Sequence, residues 1–235
     1  MSASSLPLLR RPGFQIAATL SWGVFAVGLL AGLVLGPLGI ELAVARAWWQ
    51  EHLVYVQPYL EGVVAGLIPV LFVLTGRERL SRFGLRLSGL TRSLALSLAF
   101  VALRYCESFL RTGDWIAYQS FATEPGFALA LWTGAVGVVA NGPLEAFLVI
   151  WLIAKTDQLL GGTRRVVSGG LILVSVGFGL VHVLSTQDIT NALYVGVIFF
   201  SLGWIFRYTG NSIGPMLGWT LINGMSLAYL ELVFG

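Results

Sequence analysis

Seven long apolar runs alternate with short polar connections along this chain. They lie near 15–39, 54–75, 89–110, 127–154, 167–185, 189–207 and 211–233. Each run is close to the ~20 residues an α-helix needs to cross the hydrocarbon core of a bilayer. None alternates between apolar and polar positions, and all exceed the ~10-residue strands of a membrane barrel. The pattern predicts an all-α, polytopic helical membrane protein with about seven transmembrane helices and short loops. Residues 1–235 are expected to form a single membrane domain.

Composition narrows the function classes. Apolar residues make up 57% of the 235 positions and charged residues only 11%, where a soluble domain carries about a quarter charged. Mean hydropathy is +0.84. A soluble enzyme, a disordered chain and a DNA-binding domain are excluded, and no nucleic-acid partner is expected. The lone Cys106 rules out an intrachain disulfide, and one cysteine with two histidines nearly excludes a Cys/His zinc site. The first run follows Arg10 and Arg11 and precedes Ala43-Val44-Ala45, as a signal peptide would. Its length, well beyond the ~7–15 residues of a signal core, predicts a retained helix. Gly28, Gly32 and Gly36 on it have the spacing that permits close helix packing.

The basic residues are distributed asymmetrically. Arg10, Arg11, Arg77, Arg79, Arg82, Arg86, Arg92, Lys155, Arg164, Arg165 and Arg207 fall on one side of a seven-span arrangement. Arg46, Arg104 and Arg111 fall on the other, with most of the acids. The positive-inside rule then puts the N-terminus in the cytoplasm and the C-terminus outside. The basic, partly amphipathic loop 77–92 is expected near anionic lipid headgroups. Trp48, Trp49 and Trp115 sit where an outer aromatic belt would. Many Ala, Gly, Leu and Arg residues beside a single lysine point to a GC-rich bacterial genome and an inner membrane.

Ionisable groups inside spans are costly and are functional candidates by default. Glu145 lies in the run Ala140-Asn141-Gly142-Pro143-Leu144-Glu145, four residues after Asn141 and so on the same helix face. Pro143 between them removes a backbone donor. His182 follows Phe178 by four residues, and Asn223 follows Trp219 by four. At 1.5 Å per residue, Glu145 lies ~15 Å from Lys155, Asn223 ~18 Å into the last span and His182 roughly 20–25 Å into the fifth. Tilt or an irregular turn would bring the three to one level. Glu61, beside Pro58 and Tyr59, reads as interfacial.

These residues resemble the CPBP family, the group of CAAX prenyl proteases and bacteriocin-processing (Abi) intramembrane proteases. Its pattern is Glu-Glu-x-x-x-Arg, then Phe-x-x-x-His, then His-x-x-x-Asn/Asp. The segments Phe178-Gly-Leu-Val-His182, Tyr208-Thr-Gly-Asn-Ser-Ile-Gly-Pro215 with Trp219-x-x-x-Asn223, and Arg82-Phe-Gly-Leu-Arg86 carry the likeness. It spans roughly residues 75–228 and implies N-terminal helices over 1–126 and a CAAX-protease-like core over 127–235. The chain departs from the pattern in two motifs. With Glu145 as the first glutamate, Ala146 and Ile150 replace the second glutamate and the arginine; with Glu145 as the second, Leu144 and Val149 stand in their places. The first register is preferred because the family's first glutamate activates water. Losing the arginine together with one glutamate avoids a buried unpaired charge. Trp219 replaces the histidine of the third motif, and an indole has no basic nitrogen. Neither a metal nor another cofactor is expected.

The resemblance implies hydrolysis of a peptide bond in a membrane-anchored peptide or protein, within a lipid environment. Glu145 would be the general base on water, His182 would position the water or protonate the leaving amine, and Asn223 would donate to the oxyanion. Asn141, Phe178 and Trp219 would support them. The alternative is a catalytically inactive scaffold of the same type, binding a partner or conferring immunity. A small transporter with Glu145 as proton relay ranks third, because the sequence shows no repeated broken helices. A rhomboid serine is excluded, since Ser88-Gly89 and Ser168-Gly169 flank basic loops. Reporter fusions provide a test of orientation. A fusion within loop 77–92 is expected to report a cytoplasmic location, and a periplasmic signal there would overturn the assigned topology.

Overall fold

The computed structural model describes residues 7–35, 44, 58–76, 78–115, 126–163, 165–186 and 188–234. Among these it is all-helical. A single turn at Leu8–Arg10 leads into α1 (Pro12–Leu35). There follow α2 (Pro58–Thr75), α3 (Leu90–Thr112), α4 (Phe127–Leu159), α5 (Gly169–Thr186), α6 (Ile189–Thr209), α7 (Ile213–Ile222) and α8 (Gly224–Phe234). Trp48, Trp49, Gly36, Arg46, Arg77 and Arg164 lie outside the described residues.

Four of these helices, α2, α3, α4 and α6, are long and apolar enough to cross a membrane. The pair α7 and α8 makes a fifth if it is counted as one span bent by 65°. The protein is therefore a helical membrane protein. The seven crossings expected from the sequence exceed what these lengths establish, since the apolar part of α5 stops short at Gly169–Val183. Gly28 on α1 meets no described atom within 4 Å of where a Cβ would sit.

Helix α4 is the centre of the bundle. Its residues Ala146 to Ile153 are buried in unbroken succession, the signature of a helix apolar on every face. One side packs Ala146, Val149 and Ile153 with Val195, Phe199 and Leu202 of α6, Leu171 of α5 and Trp219 of α7. The other packs Phe147, Leu148 and Trp151 with Ala65 and Val73 of α2 and Phe83 of the α2–α3 connection. The charges that were expected to end this span near residue 154 are instead buried and paired. Lys155 Nζ lies 2.5 Å from Glu78 Oε1, and Asp157 Oδ2 lies 2.9 Å from Arg207. The helix therefore runs on to Leu159.

Small residues set the remaining approaches. Ser93 and Ser97 on α3 face Gly214 and Gly218 on α7 so closely that a Cβ at Gly214 would sit 2.3 Å from Ser93 Oγ. This is the packing by which membrane helices gain van der Waals contact without a hydrophobic driving force. Asp188 starts α6 by accepting hydrogen bonds from the backbone N–H groups of Thr190 and Asn191 at 2.8 and 3.1 Å. The α2–α3 connection is locked to the start of α7. Gly84 adopts φ +80°, and its carbonyl accepts from Ser212 N at 3.0 Å. Fully buried Asn211 donates to the carbonyls of Arg86 and Ser88 and accepts from Ile213 N.

Replacing Asn211 with alanine strips partners from two carbonyls and one N–H inside the fold. Each buried orphan costs ~1–3 kcal/mol. Asn211→Ala is expected to lower stability by about 2 kcal/mol or more, read as a fall in the thermal unfolding midpoint in detergent. An unchanged midpoint would show that the connection is not held by this residue.

Candidate functional site

Two helices widen where the sequence carries glycine or proline next to a glutamate. In α4, Ala140–Leu144 forms a π-type turn. Pro143 has no N–H to give the normal helix ladder, and the Glu145 N–H reaches the carbonyls of Ala140 and Gly142. That leaves the Asn141 carbonyl for another donor, and Asn223 Nδ2 takes it at 2.9 Å. In α2, Gly62–Leu67 forms a second π-type turn directly after Glu61. The two turns pack against each other. Gly142 makes a third approach possible, since a Cβ there would lie 2.5 Å from Thr220 Oγ1 of α7.

Asn223 is the hinge between α7 and α8. Its backbone is extended, at φ −76° and ψ 124°, and its Oδ1 accepts from Met225 N at 3.0 Å, capping α8. Tyr105 of α3 holds the end of α7 by donating to the Leu221 carbonyl at 2.9 Å. The break thus places the Asn223 amide against the wide turn of α4.

These elements enclose a cavity of about 580 Å³ lined by Glu61, Asn141, Glu145, His182, Trp219 and Asn223. The structure brings Glu145, His182 and Asn223 together, from three separate stretches of chain. Trp219 Nε1 donates to Glu145 Oε2 at 2.8 Å. The residue that replaces the expected histidine is therefore a direct partner of the carboxylate. Asn141 donates its amide back to the Gly137 carbonyl at 3.2 Å and so shapes the turn.

His182 Nδ1 lies 2.9 Å from the Phe178 carbonyl oxygen. A carbonyl can only accept, so Nδ1 carries the proton and the lone pair of the neutral ring is on Nε2. An aromatic chain supports this arrangement. The Phe178 ring lies 5.3 Å from His182 and 4.6 Å from Phe199, which lies 4.6 Å from Trp219. Phe178 is thus the packing link between the histidine and the tryptophan.

Glu61, read from the sequence as interfacial, lines this cavity together with Glu145. The mouth was not anticipated either. Arg104 and Arg111 of α3 flank the Tyr194 ring of α6 at 4.0 and 5.7 Å, and both pair with Glu107, to which Tyr194 also donates. Glu61 near the start of α2, Arg111 near the end of α3 and Asn191 near the start of α6 all line the cavity, which places its opening at the end of the bundle opposite the start of α1. Among the described residues no three His, Cys, Asp or Glu side chains converge as a metal site requires.

No family model matches this chain, and no solved structure matches it. A Na(+)/H(+) antiporter NhaA from Acidovorax sp. (strain JS42) is 29% identical over 189 residues, which cover 76% of this chain and 42% of that relative. The chain thus spans less than half the length of the curated relative it matches.

Proposed function

We propose that this protein is a glutamate-dependent intramembrane endopeptidase of the CAAX-protease type, acting on a membrane-anchored peptide or protein. The observation that carries the reading is the single cavity holding Glu145, His182 and Asn223, with Trp219 bonded to the glutamate. In this reading Glu145 accepts a proton from water while the water oxygen bonds to the scissile carbonyl carbon. Glu145 passes that proton to Nε2 of His182, which delivers it to the amine as the C–N bond breaks. Of the two Asn223 amide hydrogens, one is held by the Asn141 carbonyl, and the other is the donor for the developing oxyanion. The Trp219 N–H fixes one carboxylate oxygen and leaves the other for water. The same proposal places the protein in a bacterial inner membrane with its N-terminus in the cytoplasm, from the arginine distribution.

One set of observations favours a second reading, proton- or cation-coupled transport. The structure has a 65° break at Asn223 and a π-type turn in each of α2 and α4. Interrupted helices facing carboxyls are how secondary transporters build ion sites.

Cleavage of a membrane-anchored peptide library by the purified protein in liposomes separates the readings. Wild type is expected to cleave, and Glu145→Gln and His182→Ala are each expected to lose ~10²–10⁴-fold in rate. Trp219→Phe, which removes the hydrogen bond to the carboxylate and one ring of the buried indole, is expected to lose about tenfold or more. A folded wild-type protein that cleaves nothing, yet collapses an imposed pH gradient in a Glu145-dependent way, would favour transport. A protein with neither activity would favour the inactive, partner-binding scaffold.

A further inference from the structure

A second cavity, of about 1070 Å³, lies at the other end of the bundle, where α1 starts and α4 ends. Its walls carry Arg10, Arg79, Arg82, Arg86 and Lys155 against a single carboxylate, Glu78. They come from the lead-in to α1, the α2–α3 connection and α4. A topology signal requires basic residues only on one side of the membrane; it does not require them to converge on one hollow.

The single carboxylate is already shared. Glu78 holds Lys155 at 2.5 Å and Arg82 at 3.1 Å, and Gln15 of α1 reaches Glu78 Oε1 at 3.5 Å. Arg86 is tethered through Nε to the Gly210 carbonyl at 2.9 Å, which fixes its guanidinium at the cavity wall. Arg10 and Arg79 are exposed, and no described acid pairs with either side chain. The cavity thus has a rigid cationic wall and two guanidinium groups with no acidic partner among the described residues.

Its surroundings are apolar. Leu8, Leu9, Leu80 and Leu159 are each about half exposed or more. Leu159 lines the cavity, and the others adjoin Arg10 and Arg79 in sequence. Cations ringed by exposed leucines match an amphiphile with an anionic head, more than a free anion surrounded by water.

We propose that this cavity binds the phosphodiester headgroup of an anionic phospholipid, with Arg10 and Arg79 as its mobile cationic contacts and Arg82, Arg86 and Lys155 as its fixed wall. The site is separate from the Glu145 cavity and independent of the activity proposed for it. Guanidinium groups suit the role because their planar fork pairs two phosphate oxygens at once.

Native mass spectrometry of the full-length protein in mild detergent tests this. Phosphatidylglycerol and phosphatidylcholine of identical acyl chains are titrated in parallel, and sn-glycerol 3-phosphate is added as the free-phosphate probe. Phosphatidylglycerol is expected to be retained about tenfold more strongly than phosphatidylcholine. In Arg10→Gln/Arg79→Gln that preference is expected to vanish, while the thermal unfolding midpoint stays at the wild-type value because both side chains are exposed. Equal retention of the two lipids by wild type, or an undiminished preference in the double variant, would overturn the proposal. Displacement of phosphatidylglycerol by millimolar glycerol phosphate would overturn the lipid assignment and leave a soluble phosphate site.

Discussion

Pro143 cannot donate a backbone hydrogen bond, and a membrane interior offers no water to compensate. Helix α4 answers with a wide turn, and the Glu145 N–H reaches back to Ala140. The Asn141 carbonyl is then claimed by Asn223. Asn223 is free to do so because α7 ends there and α8 leaves at 65°. One missing N–H thus ties together the two halves of the site. The close approach of Gly142 to Thr220 is part of the same arrangement. A helix of ordinary geometry at 140–144 would bond Glu145 N–H to Asn141 and leave Asn223 without this acceptor.

Much of the site was legible because its residues are chemically conspicuous in an apolar chain. Glu145, His182 and Asn223 stand out as polar groups within otherwise apolar runs, and spacing placed Phe178 and Trp219 beside them. Glu61 lies near the start of a span, so the sequence reads it as interfacial. Only the packing of α2 on α4 brings it into the cavity with Glu145. The mouth was hidden for a related reason. Arg104, Glu107 and Arg111 are separated by three or four residues on α3, but Tyr194, which they surround, comes from α6.

The end of α4 shows a different limit. Lys155 reads from the sequence as the polar boundary of a span, since unpaired charges do not enter an apolar core. Its pairing with Glu78, and that of Asp157 with Arg207, removes that objection, but both partners are distant in sequence. The seven apolar runs predicted where helices form more securely than how many of them cross a bilayer. Crossing depends on length after packing, and α5 and the α7–α8 pair are the segments where packing, bending and apolarity diverge.

Trp219 decides how protons can move in the proposed hydrolysis. A histidine at this place could both accept and donate, so two routes would connect the water to the leaving amine. An indole only donates. Its N–H fixes Glu145 but cannot receive the proton that Glu145 takes from water, so in this reading the proton passes through the imidazole of His182. The Phe178 carbonyl already fixes which nitrogen of that ring has the lone pair. The aromatic chain from Trp219 through Phe199 and Phe178 then couples the position of the carboxylate to that of the imidazole by packing alone. In the proposed hydrolysis, one imidazole and one rigidly held carboxylate would leave a single fixed route for the proton.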